Sequence, residues 1–498
     1  MRGLAANARG WIAGLAILGT GCSALLDSTN ARFKSTKGTP GPEAGATPRF
    51  VTRLKESPPT PTAGFGAALA IHGRTLAVSS PGANGERADG GLEPIAGAAY
   101  VYDLDHLDEN PIRLAAPVSG TNDAVIPAAD LPPGFSTFDY YVALPVALDD
   151  DSVVLGFPAE DSGVRDEPHD NSSIDSGAVW VFDRAGSGVP QYLKEPSIAA
   201  ADLFGTSLAL SDGWLAVGAP GEDGSAANSG RVYLYERNNG GFNELPTASL
   251  KPDIVHDGDS FGTSVSLEGD LLVVGAPGEA SNGEGLTADP NDTSAKGDGA
   301  VYVYRLVDGA WNFEQYVKPN ATAQQGFFGA SVSVSNGRFA AGSPGALTCG
   351  GEQAPGASNG AAYVYTKGST GWTANCATVS TVPTLFGFDV SLLGTRFAGG
   401  AMWEPYDPPK PEVNRKPQVL GATFTFDDVT SAFRGRSMLP PPGDAPNQLF
   451  GYSVALAPGL LAVGAPWEST HGMSGSMVDP TDMTAPVSGA VYLFSTEP

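Results

Sequence analysis

The sequence predicts an all-β fold: a seven-bladed β-propeller of four-stranded antiparallel blades, closed by an N-terminal strand that completes the last blade. Three observations lead there. A unit of about sixty residues recurs seven times between residues 49 and 498. Within each unit the strand-like segments grow more polar from the first to the fourth. The final unit stops one strand short, while an orphan strand stands before the first. A unit this small cannot bury its apolar face alone and must stack on neighbours. Blades set radially about an axis, inner strand covered and outer strand in water, give the gradient.

Each unit carries three marks in the same order. The openings are Phe65-Gly66, Phe138-Asp139, Phe204-Gly205, Phe261-Gly262, Phe328-Gly329, Phe386-Gly387 and Phe450-Gly451. The middle marks are Ser80-Pro81, Phe157-Pro158, Ala219-Pro220, Ala276-Pro277, Ser343-Pro344, Ala401-Met402 and Ala465-Pro466. The closing strands begin near Gly97, Gly177, Gly230, Gly299, Gly360, Gly421 and Gly489.

The third unit shows how one blade reads. Residues 204–210 form a first strand, and Ser211-Asp212-Gly213 a hairpin turn. Residues 214–218 form a second strand, which Pro220 stops because proline cannot donate to a ladder. A loop leads to a third strand at 231–235, and the Asn238–Gly241 turn leads to a fourth segment ending at Leu250. The second strands, such as residues 271–275, have no polar face and so are covered on both sides. The fourth strands, such as 312–318, mix polar and apolar residues. The small residues Ala67, Ala68, Ser207, Ser264 and Ser331 suit a crowded axis. At the end of the chain, residues 492–494 finish a third strand with no room for a fourth. The orphan strand at 49–55 fills that place and leaves the ring no open edge.

Composition agrees with a fold dense in turns: Gly numbers 65, Pro 41, and charged residues are 16% of the chain. Lys and Arg number 28 against 54 Asp and Glu, a formal net charge of −26. That excludes a nucleic-acid partner, which needs a basic face.

Residues 1–21 read as a targeting segment. Arg2 and Arg9 precede the apolar run Trp11–Leu18 and the small residues Gly19-Thr20-Gly21, with Cys22 next. The run is too short to span a bilayer. Cys22 after small residues resembles the lipobox of bacterial lipoproteins, although Leu18 lies one place further upstream than usual; plain secretion is the rival reading. The resemblance implies lipid attachment at Cys22, anchoring to a membrane, and, with Ser23 following, the outer membrane, on its surface or periplasmic side. Residues 22–48 read as a flexible tether and 49–498 as the propeller. In an oxidising compartment Cys349 and Cys376, both in the fifth unit, pair as a disulfide or remain two buried thiols.

The three marks resemble FG-GAP repeats, which build the seven-bladed propeller of integrin α-chains and occur in bacterial surface proteins. Integrins hold calcium in an acidic loop between first and second strands. Here those turns are short, as at His72-Gly73, Asp212-Gly213, Glu268-Gly269 and Asn336-Gly337, so the integrin calcium sites do not carry over. The acids stand instead between second and third strands: Glu160, Asp161, Asp170 and Asp175 in blade 2, and Asp289, Asn291, Asp292 and Asp298 in blade 4. They are solvated loop residues, ligands of a cation, calcium being the ion considered, or a dedicated site for a basic ligand. In the integrin family this face binds partners. The leading expectation is therefore a non-enzymatic binding or adhesion module with a protein or carbohydrate partner. The alternatives are a hydrolase with an acidic site at the channel mouth and a purely structural envelope protein. Gly258-Asp-Ser-Phe-Gly262 matches the Gly-x-Ser-x-Gly string of serine hydrolases but merely opens a repeat.

Overall fold

The computed structural model describes residues 47–497 apart from 118–143, 350–358, 407–417, 443–448, 470–486 and some shorter loop stretches. Cys22, the targeting segment, nearly all of the tether and the opening Phe138-Asp139 lie outside the described residues.

Seven four-stranded antiparallel sheets form the ring. Blade 1 comprises Leu69–His72, Thr75–Ser80, Ala98–Asp103 and Ile112–Ala115. Blade 2 comprises Val146–Leu148, Ser152–Phe157, Ala178–Asp183 and Gln191–Leu193. In blade 3 they are Ser207–Ser211, Trp214–Ala219, Arg231–Asn238 and Ala248–Leu250, with Gly241–Phe242 pairing the end of the third strand. Blade 4 runs Ser264–Glu268, Leu271–Ala276, Ala300–Val307 and Ala310–Val317. Blade 5 runs Val332–Ser335, Arg338–Ser343, Ala361–Gly368 and Gly371–Ala377. Blade 6 is built from Val390–Leu393, Arg396–Ala401, Ala422–Phe426 and Ser437–Leu439. Blade 7 takes Ser453–Ala457, Leu460–Ala465 and Ala490–Ser495 from the end of the chain and Arg49–Leu54 from near its start. Arg49 lies opposite Ser495 and Leu54 opposite Val491, so the ring closes by strand exchange.

The burial gradient differs from the expectation in one respect. The second strands are the most covered, with every residue buried in Ser152–Phe157, Leu271–Ala276 and Leu460–Ala465. The innermost strands alternate between buried and half-buried, as in Ser207–Ser211 and Ser264–Glu268. Second strands have a sheet neighbour on each side and a blade on each face, while innermost strands leave one edge toward the axis.

The recurring marks are seam devices. Each described opening phenylalanine bridges the closing glycine of the preceding blade, as in Gly177 with Phe204, Gly230 with Phe261 and Gly489 with Phe65. Phe65, Phe204, Phe261, Phe328, Phe386 and Phe450 are wholly buried. Their rings meet third-strand aromatics edge-on, 5.7 Å for Phe204 with Tyr233, 5.3 Å for Phe261 with Tyr302 and 5.7 Å for Phe386 with Phe424. Such pairs contribute about 0.5–1.5 kcal/mol beyond area burial. Gly177 sits at φ +84, and a Cβ there would strike the Phe204 backbone. Only glycine tolerates both demands.

Serines lock the same seams nearer the axis. Ser207, Ser264, Ser331 and Ser453 donate through Oγ to the carbonyls of Gly262, Gly329, Gly387 and Gly66, each in the next blade, at 2.7–3.2 Å. These residues are small, as expected, and their hydroxyls also bond blade to blade.

Candidate functional site

The loops between second and third strands share one face with the connections that lead from each outer strand into the next blade. Backbone bonds tie the two sets together: Leu203 N–H donates to Asp175 O at 3.1 Å, and Ser260 N–H to Asn228 O at 3.1 Å. Counted over both faces, the charge is concentrated in one arc of the ring. Residues 144–320, which span blades 2 to 4, hold 29 of the 54 acids and 9 of the 28 basic residues. Their net charge is −20, against −6 for the rest of the chain.

In blade 2 the expected site residues separate. Glu160 is buried and accepts Lys194 Nζ at 2.7 Å and the Tyr192 hydroxyl at 2.6 Å. Asp161 accepts the Asp175 N–H at 2.7 Å, and Asp175 is itself buried with φ 54. Asp170 closes a local turn, accepting the N–H groups of Gly163 and Ser172 at 2.7 and 3.2 Å. The Ser172 hydroxyl, then the Gly163 N–H, hold its carboxyl below the usual range.

Blade 4 behaves alike. Asp289 accepts the Asn291 N–H and side-chain amide at 2.9 and 2.8 Å. Asp292 accepts the N–H groups of Asn282 and Ser294 at 3.1 and 3.0 Å. Asp298 is buried against Lys318 Nζ at 2.9 Å. Among the described residues no three of His, Cys, Asp or Glu gather as cation ligands. Calcium takes about six to eight oxygens, and these carboxylates are instead occupied by backbone N–H groups and buried ammonium groups. The donor set does not fit a calcium ion.

The loop acids thereby disclose a clamp that recurs around the ring. Glu279 accepts Lys318 Nζ at 2.7 Å, as Glu160 accepts Lys194. Glu468 accepts Lys55 at 2.5 Å, with Arg53 at 3.6 Å. Glu222, less buried, takes Lys251 at 2.6 Å and Arg231 at 3.0 Å. Every glutamate stands two residues after the middle-mark proline, and every lysine directly after the outer strand's last apolar residue. Lys194 also donates to Ser176 and Lys55 to Ser488. The signal lay in the sequence: Pro-x-Glu and Leu/Val-Lys occur together in units 2, 3, 4 and 7, whereas Ala83 and Ala115 hold both places in unit 1.

In blade 5 the corresponding loop and outer strand are joined by the Cys349–Cys376 disulfide, with Cα atoms 5.6 Å apart. Ser260, of the hydrolase-like string, is buried and donates to Gly258 O within the seam. Asp259, buried, and Asp389, half-buried, are among the acids that no lysine clamps. Asp259 accepts the His256 N–H at 2.7 Å, and burial pushes it up to about 6. Asp389 takes the latch-serine position in blade 6 and accepts the N–H groups of Val454 and Val390 at 2.7 and 2.9 Å. Burial pushes its carboxyl up to about 7.

Ring, seam marks and strand exchange together define the class: a seven-bladed β-propeller built from Phe-Gly and Gly-Ala-Pro repeats. Residues 196–235 and 247–304, in blades 3 and 4, match the FG-GAP repeat family, and the same marks occupy the same seam positions elsewhere in the ring. No curated protein matches the sequence. Among solved structures, the β-propeller domain of the Trilobed protease from Pyrococcus furiosus is similar at 9% identity and a TM-score of 0.41, over 88% of this chain and 98% of that one. A 6-phosphogluconolactonase candidate from Bacteroides uniformis is similar at 9% identity and a TM-score of 0.42, over 84% of this chain and 100% of that one. Neither likeness bears on what this chain does.

Proposed function

We propose that this chain is a binding module whose acidic face, formed by the loops of blades 2 to 4, takes up a positively charged protein partner. The observation that carries the reading is the excess of acids in the loops of this face: residues 158–177, 194–206, 220–230, 251–263, 277–299 and 318–320 hold 18 Asp and Glu against 5 Lys and Arg. Clustered charge of one sign raises the local concentration of an oppositely charged partner and speeds its encounter. Asp166, Glu167, Asp253 and Glu284 on this face are exposed. A catalytic reading has less to stand on. At the entry of the innermost strands the ring position is held by Ala68, Pro145, Ser207, Ser264, Ser331, Asp389 and Ser453. That is one carboxyl, where acid–base hydrolysis of the glycosidase kind uses a pair. We place the module at the outer membrane, anchored through Cys22.

A fluorescent lysine-rich peptide tests the partner class. It should bind the full chain, weaken as ionic strength shortens the Debye length below about 10 Å, and weaken further in the Asp166→Asn, Glu167→Gln, Asp253→Asn, Glu284→Gln variant. Equal binding by that variant would remove the reading. Replacing Cys22 with Ala should move the protein from the membrane to the soluble fraction.

A further inference from the structure

Two carboxyls face each other in the closed seam between blades 2 and 3. Glu195 follows Lys194 at the end of an outer strand, and Asp202 stands two residues before Phe204. Glu195 is wholly buried and Asp202 is 3% exposed. Neither carboxylate oxygen of Glu195 meets a donor in hydrogen-bonding geometry among the described residues. Its carboxyl lies within reach of Asp202, with the Tyr233 hydroxyl beside it. A carboxylate offers acceptors only, so a direct hydrogen bond between the two needs a proton on one of them.

No neighbouring cation replaces that proton. Lys194 is committed to Glu160 and Ser176 at 2.7 Å each, with Asp161 adding to the negative field around it. Arg165 donates to the backbone carbonyls of Glu195 and Pro196. Arg231 is taken by Glu222. From blade 3, Glu222 and Asp223 add negative charge around Asp202. Burial keeps the hydroxyls of Tyr233 and Tyr235 neutral.

Equivalent seams differ. Between blades 7 and 1, Glu56 occupies the Glu195 position and is held by the Tyr100 hydroxyl and the Thr60 N–H, while Ala63 replaces Asp202. Between blades 3 and 4, Pro252 replaces Glu195 and Asp259 stands alone. Among the described residues both acids meet in the blade 2–blade 3 seam only. The connection that carries Asp202 is also strained. Ala201 and Leu203 have φ of 69 and 59, a backbone state that persists only where surrounding structure imposes it. Here their N–H groups donate to the Ile174 and Asp175 carbonyls at 2.9 and 3.1 Å.

We propose that Glu195 and Asp202 are a proton-operated latch: a proton between them holds the 199–203 connection against the blade 2 loop, and its loss to water opens that seam. Burial raises both carboxyls above their ordinary values. A group raised on folding stabilises fully below its unfolded value and loses that contribution as pH rises through its folded value. The closed seam therefore holds more protons than the open one, and opening grows as pH climbs above the carboxylate range. The latch lies on the proposed binding face but is independent of that assignment.

Hydrogen exchange at the amides of Ala201, Leu203 and Phe204 in the full chain reads the seam directly. Protection factors, corrected for intrinsic exchange, should fall about tenfold per pH unit wherever one proton separates the two states, across pH 6 to 8. Gly64 and Phe65, which donate to Val487 and Ser488 in the seam between blades 7 and 1, should not follow. Asp202→Ala, which copies Ala63, and Glu195→Gln should each abolish the slope, and either suffices if the other fails to fold. Flat protection in the natural chain, an unchanged slope in the variants or a parallel fall at Gly64 and Phe65 would each overturn the proposal.

Discussion

In blade 4 the long loop after the second strand is pinned to the outer strand by an ammonium set between two carboxylates, Lys318 with Glu279 and Asp298. In blade 5, its neighbour, Ala346 stands at the glutamate position and, by register, Thr378 at the lysine position. There a disulfide joins the same two elements. One fastening is thus made with two chemistries, and blade 1, with Ala83 and Ala115 at the two places, carries neither. Acid and cation are both absent from blade 5 because either alone, wholly buried, would lack compensation.

The largest effect should come from breaking the blade 4 clamp on one side. Lys318→Met leaves Glu279 and Asp298 buried without their cation and should cost about 3–5 kcal/mol in urea unfolding. Adding Glu279→Gln and Asp298→Asn should restore most of that loss; a harmless single variant would show that the clamp is not a fastening. Next comes its covalent counterpart. Cys376→Ser opens a link across 27 residues and should cost about 3 kcal/mol. A thiol reductant should lower the melting temperature of the natural chain and leave that variant unmoved.

Smaller effects attend the acids that no lysine matches. Asp259 and Asp389, raised to about 6 and about 7, stabilise fully below the ordinary carboxylate range. That contribution is lost as pH rises through those values. The melting temperature should therefore be lower at pH 8 than at pH 5, and Asp259→Asn with Asp389→Asn should shrink the difference. Smallest is the serine latch: Ser207→Ala should cost about 1 kcal/mol, the net worth of one hydrogen bond, read as a shift in denaturation midpoint.

The ring was readable in the sequence because its seams tolerate few residues. Gly177 must admit the Phe204 backbone and Gly218 the Gly262 carbonyl; the first place is glycine in all seven units and the second in all but unit 1, where Ser79 stands, so both mark the unit boundaries. The loop acids were harder to read. Whether Asp170 binds a cation or a backbone N–H depends on how seven residues of loop fold back to Gly163. Whether Glu160 is solvated depends on Lys194, a full strand pair away. Ser207 looked like a space-filler because composition reports size and hides where a hydroxyl points. The inner strands were expected to be the most covered because their apolar run does not reveal that one edge faces the axis.

The pairing of Arg49 with Ser495 also sets an order of events. The two strands that close blade 7 are separated by six other blades in the chain, and pairs so distant in sequence form late. Six blades can zip from their own contiguous segments as they emerge. The seventh waits for residues 490–495, so a product truncated before them holds an unpaired strand edge, the exposure that invites aggregation and marks a chain for removal by proteases.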